Sequence, residues 1–184
     1  MKTIKLGLSI SVAALLSLGL TACSHSEKVT VTKVVKPSVY EIRAQLEKEI
    51  QNQNVQVIKV GQTIRLVLPS DYFFQPGSAN LYQGQINILA NIARYIGTYH
   101  QSEVTIKGYT ASTLSSAYLK ALSAKQAEVI SHRMWGMGIQ SQLLIASGLG
   151  AKNPVDTNET ADGRFSNNRV EITFMYRTDR PLYD

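Results

Sequence analysis

The chain of 184 residues contains one cysteine, Cys23. A single thiol forms no internal disulfide, so a packed core must hold the fold, and a cysteine-based zinc cluster is excluded. Histidine is scarce. His25, His100 and His132 lack the close spacing that places two imidazoles on one face of an element. No HExxH helix and no GxSxG turn occurs, so zinc hydrolysis and triad hydrolysis find no residues to carry them. Gly148-Leu149-Gly150 is too short for a dinucleotide fingerprint and does not open a helix after a strand. Only 17% of residues are charged, and lysine and arginine form no run interleaved with aromatics. A nucleic-acid groove is therefore not expected. No uninterrupted apolar run reaches the roughly 20 residues that span a bilayer. The expectation is a protein that is not an enzyme and holds no metal.

What is present begins at the N-terminus. Lys2 and Lys5 precede an apolar run, Leu6 to Leu20, of 15 residues. That length suits a signal-peptide core better than a permanent membrane helix. The run closes on Leu20-Thr21-Ala22-Cys23, which resembles a bacterial lipobox. There a diacylglycerol group is attached to the cysteine before cleavage. The resemblance implies that residues 1–22 are removed and that Cys23 carries covalent lipid, with no other cofactor. A single acyl chain anchors marginally, whereas the three chains of that lipoprotein class suffice. Ser24, where an Asp would signal inner-membrane retention, implies the outer membrane. Cutting before Cys23 removes two lysines and leaves 162 residues with 17 basic and 13 acidic side chains, a net charge of +4.

Residues 23–54 are read as a lipidated tether with a short helix. Lys28 to Lys36 partly alternates polar and apolar residues, a strand-like pattern that cannot bury its face alone. It is either a mobile tether or a strand added to another chain's sheet edge. Ser38-Val39-Tyr40-Glu41 reads as a capping box, and Val39, Ile42, Leu46 and Ile50 repeat at helical spacing up to about Asn52–Asn54. That stripe either docks on other envelope proteins or folds back on its own domain.

Residues 55–176 form the main domain, and 177–184 a tail. Val55–Val60 and Thr63–Leu68 are strand-like around Gly61-Gln62, a hairpin signal. A loop over Pro69–Ser78 is followed by a helix expected over Leu81–Tyr99, with Ile86, Leu89, Ala93 and Ile96 on one face. A strand follows at Val104–Tyr109. A second helix spans Ser116–Trp135, with Leu122, Val129, Ile130 and Arg133 along one side and Gly136 and Gly138 as its stop. Leu143–Ser147 is a short strand, Gly148–Asn168 mostly loop, and Val170–Met175 the last strand. The order β-β-α-β-α-β-β predicts an α/β (α+β) domain with helices on one face of a mixed sheet.

Several motifs stand in a specific order: Phe74-Gln75-Pro76-Gly77-Ser78-Ala79-Asn80-Leu81, Gly108-Tyr109-Thr110, Leu122-Ser123-Ala124-Lys125-Gln126-Ala127, Gly148-Leu149-Gly150, Asn158-Glu159-Thr160, and Gly163-Arg164-Phe165-Ser166-Asn167-Asn168-Arg169-Val170-Glu171-Ile172. Together, over about Thr63 to Phe174, they resemble the OmpA-like C-terminal domain. The resemblance implies a periplasmic β-α-β-α-β domain. Many members bind peptidoglycan through a diaminopimelate stem peptide, using an Asp after the middle strand for the ammonium and an Arg on the second helix for the carboxylate.

Retained from the family pattern are Phe74, Gly108, Ser123, Gly163, Arg164, Asn167 and Arg169. Altered are the pocket positions. Thr110 is followed by Ala111 in the Asp position, Gln126 replaces the Arg, Leu119 stands where an Asn is usual, and Asn168 replaces the first Arg of Asn-Arg-Arg. Two lost charge-assisted bonds of about 1.5–3 kcal/mol each weaken binding by about two to four powers of ten, unless a residue such as Lys125 or Arg164 restores a contact. Narrower similarity runs to the small OmpA-like lipoproteins of Dot/Icm type IVB secretion systems. It implies a structural component of an outer-membrane-associated secretion core, with partners among the membrane lipid and other envelope proteins. The competing expectation is a non-covalent peptidoglycan tether between outer membrane and cell wall.

Overall fold

The computed structural model describes residues 36–112 and 114–177, within a unit that starts at Lys36. The leader, Cys23 and the Val29–Val35 stretch lie outside the described residues, as do residues 178–184.

The first element is helix α1, Val39–Gln51. Its capping box is formed: the Ser38 hydroxyl accepts from Glu41 N at 3.3 Å, and the Glu41 carboxylate accepts from Ser38 N at 2.7 Å. These bonds hold the Glu41 carboxyl below its usual value. Hairpin strands β1, Gln56–Val60, and β2, Thr63–Pro69, follow. Val60 faces Thr63 across the two-residue turn, which places Gly61 at φ +57°. Then come a single turn α2, Ser70–Phe73, helix α3, Gln85–Gly97, and strand β3, Gln101–Tyr109. Helix α4, Ser116–Gly136, leads through a 3-10 turn to β4, Leu144–Gly148. Short helix α5, Ala161–Asn167, and strand β5, Arg169–Tyr176, complete the described fold.

The sheet order is β1-β2-β5-β3-β4, with β3 and β4 parallel and the other pairs antiparallel. Parallel neighbours need a crossover, and α4 supplies it. Alternation along each strand sets apolar rows on one face. Ile64, Phe174 and Val104 form one row, and Leu66, Ile172 and Ile106 the next, all at most 1% exposed. Helices α3 and α4 pack on this face with Leu89, Ile92, Ile96, Ala127, Ile130 and Met134. The opposite face carries Arg65, Thr105, Lys107, Glu171 and Thr173. The mixed sheet with helices on one face is as expected.

A third row runs Leu68, Val170, Gly108, Gly148. It ends in two glycines because α4 rests on them. A Cβ at Gly108 would lie 2.1 Å from Ser123 O, and one at Gly148 would lie 2.2 Å from Ala124 N. The Ser123 hydroxyl then accepts from Gly150 N at 3.0 Å and donates to Lys120 O at 3.0 Å, fixing the helix over the strand ends.

Four local features differ from the sequence reading. Helix α3 starts at Gln85, four residues later than expected. Bonds from Gln75 N to Asn80 O and from Tyr82 N to Phe73 O, with a bridge between Phe74 and Leu81, hold the preceding stretch as a turn. The expected loop from Pro69 contains α2, one turn closed by Phe74 N donating to Ser70 O. The expected loop before β5 contains α5, whose N-cap Thr160 accepts from Gly163 N at 3.0 Å. The buried side of α4 is Leu119, Ser123, Gln126, Ala127, Ile130 and Met134, with Arg133 exposed. An apolar-only stripe misplaces this side because two of its members are polar and hydrogen-bonded.

The open alternative for α1 is settled by packing. Leu46 and Ile50 are buried in the domain core, and Ile42 packs against it. Arg43 donates to Thr98 O at 2.6 Å and stacks 3.8 Å over the Tyr99 ring, while Tyr95 donates to Glu47 at 3.1 Å. The stripe folds back on its own domain.

Candidate functional site

The C-terminal end of β3 delivers Thr110 and Ala111. One face of α4 delivers Leu119 and Gln126, seven residues and so two turns apart. The junction of α5 and β5 delivers Asn168. These five separated positions line one cleft of about 180 Å³. Its far wall comes from α2 and the turn behind it, with Ser70, Asp71, Phe74, Gln75 and Gly77, and its rim from Leu114, Tyr118 and Leu122.

Inside, hydrogen bonding closes most polar groups. Gln126, 4% exposed, donates from Nε2 to Ser78 O at 2.8 Å and accepts from Ser70 Oγ at 3.4 Å. Asn168 Oδ1 accepts from Ala111 N at 2.7 Å, and its side chain lies near enough to the Asp71 carboxyl to favour the charged form. The Tyr118 hydroxyl donates to Gly77 O at 3.1 Å. One group stays open: Thr110 Oγ1 is buried without a hydrogen-bond partner. Partial desolvation at the cleft wall pushes the carboxyl of Asp71, an exposed residue, above its ordinary value, and neighbouring Asn168 opposes that. Among the described residues, Asp71 is the one charged side chain lining the cleft. Sequence reading missed it, because Pro69-Ser70-Asp71 reads as a turn and the helical turn there is too short to show a period.

The retained motif residues, Phe74 apart, do other work. Phe74 is 2% exposed and lines the cleft wall. Gly108 and Ser123 form the strand-to-helix contact described above. A Cβ at Gly163 would lie 1.9 Å from Thr157 O, so α5 packs there only with glycine. Arg164 donates to Asn158 O and Glu159 O, both at 2.9 Å. Asn167, 1% exposed, accepts from Val155 N and Asp156 N and donates to Asp156 O and Asn158 Oδ1. Arg169 lies on the opposite sheet face. It donates to Glu171 at 2.8 Å and to Asn167 O and Asn153 O, and it sits 4.0 Å over the Tyr109 ring. Burial there raises the Tyr109 hydroxyl pKa, helped by Glu171. Lys125 pairs with Glu128 at 2.7 Å. Neither Lys125 nor Arg164 lines the cleft, so neither restores a cation to it.

The OmpA family pattern matches residues 73–169, just over half of the chain and the whole run from the Phe74 turn to Arg169. The chain belongs to the OmpA family. Among its relatives, Probable lipoprotein YiaD of Escherichia coli is 32% identical over 130 residues, which is 71% of this chain and 59% of YiaD. Peptidoglycan-binding protein ArfA of Mycobacterium tuberculosis is 33% identical over 99 residues, 54% of this chain and 30% of ArfA. The chain thus spans less than two thirds of YiaD and less than a third of ArfA. Among solved OmpA-type folds, the periplasmic domain of Helicobacter pylori MotB superposes with a TM-score of 0.60 at 25% identity, covering 68% of this chain and 81% of that one. The cell wall anchor of the T6SS from Pseudomonas aeruginosa gives a TM-score of 0.64 at 22% identity, over 78% of this chain and 100% of that one, a likeness of fold.

Among the described residues no three His, Cys, Asp or Glu side chains gather to hold a metal ion, and no helix is long and apolar enough to cross a membrane.

Proposed function

We propose that this chain is a lipid-anchored envelope protein of the outer membrane whose OmpA-family domain faces the periplasm as a structural component, docked by protein surfaces. The observation that carries this reading is the cationless cleft. The positions that the family resemblance assigns to the stem peptide converge, yet none of them offers a positive charge to a carboxylate. The lipid is assigned to Cys23, and the assembly to an envelope complex of the type IVB secretion class, on the sequence resemblance alone.

The second reading is a peptidoglycan tether, and two observations favour it. ArfA, a relative, is named as peptidoglycan-binding, and Asp71 keeps one carboxylate in the cleft. Retention of the purified chain on isolated sacculi separates the readings. Docking by proteins predicts weak retention that added stem peptide does not compete, whereas strong, competed retention establishes the tether. Calorimetry of Ala111→Asp with Gln126→Arg checks the pocket itself. The double variant is expected to bind a diaminopimelate stem peptide about 100-fold more tightly than the native chain, the lower end of two recovered charge-assisted bonds. Tight binding by the native chain with no gain in the variant overturns the reading.

A further inference from the structure

The cleft is lopsided in charge rather than merely neutral. Asp71 stands at its wall beside Asn168, whose Oδ1 accepts from Ala111 N at 2.7 Å. A carboxylate from α2 is thus held one side chain away from Ala111. Deeper in, Thr110 is 7% exposed, and its hydroxyl oxygen has no partner. A buried hydroxyl left open is costly, and it can accept as well as donate. Leu114, Leu119 and Leu122 line the same cleft.

We propose that this cleft receives a lysine side chain of a partner protein, an ammonium group on an aliphatic stem, with Asp71 as counter-ion and the Thr110 hydroxyl as second acceptor. The proposal rests on the reading of the domain as a protein-docked component. Complementarity of charge selects the occupant: one carboxylate and one hydroxyl match a compact cation, and the leucines match its methylene stem. A guanidinium is matched less well, because its planar fork calls for two parallel acceptors. A ligand that carries a carboxylate beside its ammonium is disfavoured. Two donors at the altered positions are committed, Gln126 Nε2 to Ser78 O and Ala111 N to Asn168 Oδ1, and the cleft lining holds no cation, so the carboxylate finds no charged partner there. A seated ammonium also opposes the rise that desolvation imposes on the Asp71 carboxyl.

The test is an NMR titration of the full chain, following the amides of Ala111 and Asn168 and the Asp71 carboxyl. Three probes are compared: Nα-acetyl-lysine N-methylamide, Nα-acetyl-norleucine N-methylamide, and a diaminopimelate stem tripeptide. The lysine probe is expected to bind about fivefold or more tightly than norleucine, the effect of one charge-assisted bond at a solvent-open site, and to draw the Asp71 carboxyl pKa down. Asp71→Asn removes the preference, and Thr110→Val reduces it without abolishing folding. Equal binding of lysine and norleucine, or a preference untouched by Asp71→Asn, overturns the inference and leaves the protein-docked reading standing. Tightest binding by the stem tripeptide overturns both.

Discussion

Asn167 and Asn168 are neighbours with unlike tasks. Asn167 is buried and gives all its hydrogen-bonding capacity to the loop before α5, whereas Asn168 faces the cleft. The same division separates Gly108, a floor for α4, from Ala111 at the cleft. Gly108→Ala drives a methyl into Ser123 O, which is backbone and cannot rotate away. The expected loss is about 1–3 kcal/mol, as for other overpacked sites, read as a lower melting temperature. Asp71 gives a pH signature. Its pKa is raised on folding, so the folded chain holds this proton more tightly than the unfolded chain does. The associated penalty is absent below the unfolded value and present above the folded one. Asp71→Asn is therefore expected to raise the melting temperature near neutral pH, the gain fading as pH falls below the ordinary carboxylate range. A gain that persists in acid contradicts this. In the sequence, Gly108, Gly163 and Asn167 were legible as members of the ordered motifs that resemble the OmpA-like domain, and the close approaches at the two glycines and the four bonds of Asn167 give the physical reason. Asp71 was not, because its role arises from a chain reversal that brings α2 beside Asn168.

Elements divide by length in the same way. The capping box of α1, the alternation of β2 and β5 and the glycine stop of α4 repeat a local rule often enough to be read directly. Helices α2 and α5, of 4 and 7 residues, repeat nothing; a Thr160 cap starts α5, and Tyr72 of α2 meets Phe165 of α5 edge-on at 5.6 Å. The apolar stripe of α1 was legible, but its destination was not, since a stripe does not name its partner. With Leu46 3% exposed in the domain core, Leu46→Ala is expected to cost about 2–5 kcal/mol. In urea the midpoint should fall while the slope holds. An unchanged midpoint means that α1 is held elsewhere.

For the molecule as a whole, the proposed function assigns location to Cys23, and the sheet order governs how the domain closes. Cys23→Ser is expected to leave the leader uncut and the lipid absent, shown by mass spectrometry of the N-terminus from cell envelopes. A native chain without acyl groups there defeats the anchoring proposal. The sheet order has a consequence for delivery. Strand β5 is the last described element in sequence, yet it is inserted between β2 and β3, which touch neither each other nor any substitute. A chain that emerges N-terminus first therefore holds two apolar half-sheets that cannot meet until residues 169–176 arrive. Until then Ile64, Leu66, Val104 and Ile106 lack their central neighbours, and both waiting edges are open to aggregation. If the chain is exported as proposed, its sheet cannot close until its final described strand has crossed.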